Sequence, residues 1–191
     1  MRSFEGQGLI RRRQGVGTFV VQQGKVIDTG LEVLESIETM ARKIGLDVSM
    51  GDLRIEKIFA SQDQVEKFQI ELNSSLVKIS RVIYAEKRPV AYLIDILPSG
   101  IIAQDELTTG FTGSVLDMLL QHGSPKLARS FSEVYAVAAV VEVARALEIQ
   151  RGDVLLMFTG ELYTDTGKMI DISASYFLPG YFKFHIVRRV G

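Results

Sequence analysis

Cysteine is absent from the 191 residues, which excludes disulfides and thiolate metal sites together. Histidine occurs twice. His122 sits before Gly123, where a C-terminal helix cap accounts for it, and His185 stands beside Phe184 in an apolar stretch. Neither has a readable serine–acid arrangement near it, so a hydrolytic triad is not in view, and no spacing suits a metal. Long apolar runs are missing too. The longest apolar-rich stretch, residues 134–141, falls far below the roughly 18 residues of a membrane helix. The first residues hold charge and glycine, so no secretory leader is expected and the expected location is cytoplasmic. Internal repeats and low-complexity tracts are absent. Net charge is only −1, too small for bulk attraction to nucleic acid or to a membrane surface.

What is present is a globular composition, 47% hydrophobic and 24% charged, enough to bury a real core. Charge is unevenly spread. Residues 1–21 carry Arg2, Arg11, Arg12 and Arg13 against Glu5 alone, a balance of +3 that leaves −4 for the rest. Such asymmetry points to a nucleic-acid contact at one end, or to a merely solvated arginine run. Within that head, Leu9 to Arg13 and Thr18 to Val21 read as two short strands around Gln14-Gly15-Val16-Gly17. A hairpin with arginines on its flank and glycines at its tip can lie against phosphates or enter a narrow minor groove. Phosphate contacts of that kind position a protein and carry little sequence information.

Residues 22–30 are polar and glycine-bearing and read as a linker. Leu31 to Ile44 has the helical spacing Leu31, Leu34, Ile37, Ala41, Ile44, with Glu32 and Glu35 near its start and Gly45 as its stop. Beyond it, the expected strands are 53–60, 76–85, 89–97, 128–139, 154–163, 168–177 and 182–188. The expected helices are 62–70, 114–122 and 141–147. The pairs 76–85/89–97 and 154–163/168–177 are joined by Glu86-Lys87-Arg88 and Thr164-Asp165-Thr166-Gly167, both polar turns. Hairpin-linked strands with few helices predict an α+β domain built on an antiparallel sheet.

Two stretches resemble a known family. Gly8-Leu9-Ile10, Arg12-Arg13 and Gln14-Gly15-Val16-Gly17-Thr18-Phe19-Val20 resemble the wing that closes the winged helix-turn-helix of GntR transcriptional regulators. The family carries about fifty residues before this wing, including the recognition helix; here only Met1 to Gln7 precede it. Residues 1–21 are therefore expected to be a remnant of that domain, with weak or no specific DNA binding by this polypeptide alone.

The body resembles the UTRA effector-binding domain of the HutC subfamily. The matching pieces are Lys78 to Ala85 with Arg88-Pro89-Val90-Ala91, Gly113-Ser114-Val115-Leu116, Ala144 to Leu147 with Gly152 and Leu155-Leu156, and Tyr163, Gly167, Ile170-Asp171 with Phe182 and Phe184. The resemblance implies a chorismate lyase-like fold over 31–191 that encloses a small-molecule pocket. It also implies a homodimer whose paired heads read operator DNA.

Site residues follow from both sources. Arg81 inside an apolar strand needs a partner; the family uses an arginine there for a ligand phosphate or carboxylate, and a structural salt bridge is the plain alternative. Ser114 opens a helix after Gly113, as an anion site or as an ordinary cap. Glu133 lies in a β-rich run, either facing a ligand or solvated at an alternate position. Asp171 matches an acidic family position, and Ser173 follows on the same strand face. On the head, Arg11, Arg12, Arg13, Gln14, Gly15, Gly17 and Thr18 are the expected DNA contacts. The chain departs from phosphosugar-sensing members at Ile83, where they carry a second arginine, and at Leu178-Pro179-Gly180, where they often carry Arg-Gly-Asp. The expected effector is therefore a carboxylate in preference to a sugar phosphate. No cofactor or metal is expected. Three functions stand side by side: a one-component regulator, a chorismate lyase-like enzyme, and a binding module without DNA function.

Overall fold

The computed structural model describes residues 10–13, 17–20, 26–111 and 113–190. Strands β1 (Ile10–Arg13) and β2 (Gly17–Val20) pair antiparallel, Ile10 opposite Val20 and Arg13 opposite Gly17. The head is thus a hairpin; Gln14, Gly15 and Val16 at its tip lie outside the described residues.

Next comes a strand that sequence composition hid. β3 (Ile27–Gly30) falls within the stretch expected as linker and pairs in parallel with β10 (Phe182–His185) at the far end of the chain. Ile27 is buried, its N–H donates to the Tyr181 carbonyl at 2.9 Å, and Asp28 joins Lys183 at 2.8 Å and His185 at 2.9 Å. Pairing across more than 150 residues leaves no local trace in a polar segment. β10 also stops at His185, three residues short of the expectation.

Helix α1 (Ile37–Lys43) begins six residues later than its periodicity suggests. Ser36 caps it, its Oγ accepting from the Thr39 N–H at 3.0 Å. That cap satisfies an otherwise orphaned amide and halts the helix where Leu31, Val33 and Leu34 stand exposed, with no surface to bury them. β4 (Val48–Phe59) is longer than expected, running through a bulge between Gly51 and Arg54. α2 (Gln62–Phe68) starts at a reciprocal capping box: the Ser61 N–H donates to Gln64 Oε1 at 2.9 Å, and the Gln64 N–H to Ser61 Oγ at 3.4 Å.

β5 (Ser75–Ala85) and β6 (Arg88–Pro98) join through a two-residue loop, Glu86-Lys87, with both φ angles positive at 50° and 66°. The right-handed strand twist demands this mirror-image turn even without glycine. α3 (Gln104–Thr109) was not expected; its short polar sequence, Gln-Asp-Glu-Leu-Thr-Thr, buries only Leu107. The remaining elements are α4 (Val115–His122), β7 (Leu127–Ala138), α5 (Val141–Ala146), β8 (Val154–Thr164) and β9 (Met169–Phe177).

Six strands form one antiparallel sheet in the order β4-β5-β6-β9-β8-β7. Side-chain alternation divides its residues between two faces. One face carries Val82, Tyr92 and Leu155 under α5, and Leu76 and Met169 under α2 with Phe68. The other carries two separate apolar clusters. Ile83, Ala91, Leu93 and Phe177 pack under α1 and β3, while Ile79, Leu97 and Leu162 pack under α3 and α4. The coverings diverge over the middle of the sheet, and the space between them is the site. Among the described residues, no helix is long and apolar enough to cross a membrane and no cluster of His, Cys, Asp or Glu is disposed to hold a metal ion.

Candidate functional site

A cavity of roughly 850 Å³ opens between the two coverings. Its floor is made by strand register. Asp95 on β6 stands opposite Ser173 on β9, Ser173 opposite Gly160 on β8, and Gly160 opposite Ser132 on β7. Three small residues in a row leave the hollow. A Cβ at Gly160 would meet Ser173 Oγ at 2.5 Å, so a side chain there would force Ser173 to turn away. The next row places Arg81 opposite Leu93, then Ser175, Phe158 and Val134. Phe158, Phe177 and Phe184 form an aromatic wall at one end, with ring centroids 4.6–5.3 Å apart in edge-to-face contacts. The mouth is crossed by residues 31–36.

Arg81 is 4% exposed, and burying a guanidinium demands compensation. Its Nη1 donates to Asp95 Oδ2 and its Nε to the Gly113 carbonyl. The Phe111 ring lies 5.5 Å from its carbon centre. Asp171 lines the same cavity at 5% exposure, and its Oδ1 has no hydrogen-bond partner in the protein. Burial first, and the neighbouring Asp95 second, hold its pKa well above the usual carboxylate range, against the pull of Arg81. Glu38 on α1 repeats the pattern. Its Oε1 is sealed from solvent without a partner, and burial raises its pKa, with Asp117 and Asp95 acting in the same direction.

Ser114 is the N-cap of α4, its Oγ accepting from the Asp117 N–H at 3.0 Å. Asp117 in turn accepts from Ser36 Oγ at 2.7 Å, which ties the starts of α1 and α4 together. The positive end of α4 therefore already faces a carboxylate of its own first turn.

Of the residues expected from sequence, the structure brings Arg81, Ser114, Asp171 and Ser173 to one cavity. Glu133 is not among its lining residues. Ser132 and Val134 on either side do line it, so alternation turns Glu133 to the opposite face, where it is exposed and hydrogen-bonds Tyr135. Asp95 and Glu38 were missed. Asp95 had a signal, a lone acid in the apolar run Tyr92-Leu93-Ile94-Asp95-Ile96-Leu97, of the kind that singled out Arg81. Glu38 had none that distinguished it from Glu32 and Glu35. Neither histidine lines this cavity: His122 pairs with Glu106 at 3.2 Å and His185 with Asp28.

With the geometry in place, comparison with known proteins is informative. The sequence model of the UTRA domain matches residues 43–183. A curated relative, the HTH-type transcriptional repressor NagR of Bacillus subtilis, is 24% identical over 185 residues, covering 96% of this chain and 75% of that protein. Among solved structures, PhnF from Mycobacterium smegmatis superposes with a TM-score of 0.78 at 15% identity, over 100% of this chain and 82% of that one. The separate effector domain of PhnF gives 0.74 at 15% identity, over 86% of this chain and all of that one. A GntR-family transcriptional regulator from Enterococcus faecalis gives 0.61 at 21% identity, over 74% and 100%. At these identities the structures establish a shared α+β fold.

Proposed function

This chain belongs to the UTRA domain family, and on that premise we propose that it is the effector-sensing part of a GntR-type transcriptional regulator of the HutC kind. The observation that carries the reading is the cavity floored by Asp95, Ser173 and Gly160, with a buried Arg81 beside it. Buried charge around a roomy hollow is an arrangement suited to binding, since a domain selected for stability alone would fill that space with apolar side chains. The name of the curated relative, a transcriptional repressor, supports the regulator over the enzyme.

In this reading a small effector enters the cavity and biases the segment 31–36, which crosses its mouth and connects β3 to α1. Hairpin residues Arg11, Arg12, Arg13, Gln14, Gly15, Gly17 and Thr18 position the head on operator phosphates. Two copies pair so that two heads meet two half-sites, and the protein works in the cytoplasm, where its DNA is. A dianionic sugar phosphate finds two guanidiniums in the lining, Arg81 paired with Asp95 and Arg129 beside the Tyr163 ring. A carboxylate can approach Arg81 through the guanidinium N–H groups that Asp95 and Gly113 leave uncommitted.

A thermal-shift screen of the chain tests the sensor. Its panel holds phosphosugars, amino and aromatic acids, short fatty acids, polyols and small amines. A true effector at about a hundredfold its Kd adds about 2.7 kcal/mol to stability. Ser173→Leu, which fills the floor without touching a charge, is expected to abolish the shift. A shift that survives in the variant moves the site elsewhere. The DNA reading is tested by gel shift with and without effector. The chain alone is expected to bind weakly or not at all, and a protein that also carries the recognition helix is expected to bind operator in a ligand-dependent way. Operator binding by that protein that never responds to a ligand overturns the reading.

A further inference from the structure

The charges of the cavity do not balance, and the imbalance has a sign. Arg81 is neutralised by Asp95. Arg129 also lines the cavity, its guanidinium 4.4 Å from the ring centre of Tyr163. Of the remaining lining carboxyls, Glu35 pairs with Lys43 and Glu32 accepts from the Val187 N–H, whereas Asp171 and Glu38 each present a buried oxygen with no partner in the protein. Asp117 extends the acidic character to the start of α4. An anionic ligand entering this space meets these carboxyl groups alongside two guanidiniums, one of them paired with Asp95. A ligand bringing N–H donors and positive charge meets acceptors held ready for it.

The other end of the cavity says what carries that charge. Along β9 the lining runs from Asp171 through Ser173 and Ser175 to Phe177, about 20 Å at ~3.3 Å per residue. It ends at the edge-to-face aromatic wall. Resting on the sensor reading above, we propose that the effector is cationic: an amine or amidine borne on an apolar or aromatic body, whose N–H groups satisfy the free oxygens of Asp171 and Glu38 while the body packs on Phe158 and Phe177. Glu38 thereby becomes a ligand contact, and α1, which follows directly on the segment crossing the mouth, feels the ligand directly. Burial raises the pKa of both acids, and a cation seated beside them opposes that shift.

The test uses the full chain and matched probes. Phenethylamine and benzamidine are titrated beside 2-phenylethanol, 3-phenylpropionate and glucose 6-phosphate, by thermal shift and by calorimetry. The expected result is that only the amine and the amidine raise the melting temperature and give binding heats. Glu38→Gln and Asp171→Asn, which remove charge and keep shape, are expected to weaken each cation about tenfold or more without lowering the melting temperature. Cation binding that is unchanged in both variants overturns the proposal. So does an anionic probe that binds and is lost in Ser173→Leu, which retains the sensor while reversing the ligand's sign. Silence from every probe overturns the cationic assignment, and the sensor reading with it if the wider panel is also silent.

Discussion

The two faces of the one sheet are built from the same strands and do opposite work. On one face, α2 and α5 close over Phe68, Leu76, Val82 and Leu155, which are all at most 1% exposed. On the other, alternate residues of the same strands include Arg81, Asp95, Asp171 and Ser173, and the helices stand apart over them. The closed face stabilises by removing apolar area from water. The hollow face gives up part of that stabilisation and holds buried charge that only internal pairing makes tolerable. A period of two lets one chain segment serve both ends, because neighbouring residues never compete for the same surroundings.

That contrast can be broken from either side. The largest effect is expected on the closed face. Phe68→Ala removes a fully buried ring and is expected to cost about 3–5 kcal/mol in denaturant unfolding, with ligand affinity per folded molecule unchanged. A change in affinity would show that the faces are not independent.

On the hollow face, Arg81→Met leaves Asp95 buried without its cation and is expected to cost about 3 kcal/mol. Adding Asp95→Leu is expected to restore most of that loss, as replacing a whole buried pair does. A double variant no more stable than the single one would mean that Arg81 matters for its Gly113 and Phe111 contacts instead.

Asp171 sharpens the comparison through pH. Its pKa is raised on folding, so the folded state keeps a proton that the unfolded chain has lost. Stability therefore falls as pH climbs from the ordinary carboxyl range toward the raised value, with a slope approaching about 1.4 kcal/mol per pH unit for one proton. Glu38 adds a slope of the same sign. The lowered carboxyls Asp28, Glu32 and Glu161 act below that window, losing their contribution as pH falls. Asp171→Asn is expected to flatten the fall and to raise stability at neutral pH. Unfolding curves between pH 5 and 8 in which the parent is flat, or the variant is less stable, would remove Asp171 as a strained group.

The smallest effect lies away from both faces. Replacing Glu86-Lys87 with Asn-Gly suits two positive φ angles better and is expected to add about 1 kcal/mol, leaving binding untouched. A loss of stability would indicate that the present side chains make contacts worth keeping.

Much of this was legible before the fold was seen. The hairpins at 85–88 and 164–169, the helices at 62–68 and 115–122, and the solitary arginine of β5 all announce themselves locally, through alternation, caps and turns. Misreadings arose where the deciding partner was remote. Residues 27–30 form a strand because residues 182–185 lie beside them, and residues 31–36 are not helical because nothing covers Leu31, Val33 and Leu34. Glu133 pointed the wrong way because a strand's period assigns residues to two faces without saying which one is hollow.

By itself, then, the sequence determined the α+β class, the antiparallel hairpins, a basic head on an acidic body, and the need of Arg81 for a buried partner. Only the tertiary structure decided that the partner is Asp95, that Asp171 sits beside the pair, and that Glu38 arrives from a helix on the opposite side of the cavity. The reason is physical. Local hydrogen bonding and side-chain periodicity act over a few residues, whereas pairing β6 with β9 is settled by burial across some eighty residues of intervening chain. That non-local choice is what brought Arg81, Asp95 and Asp171 into a single hollow.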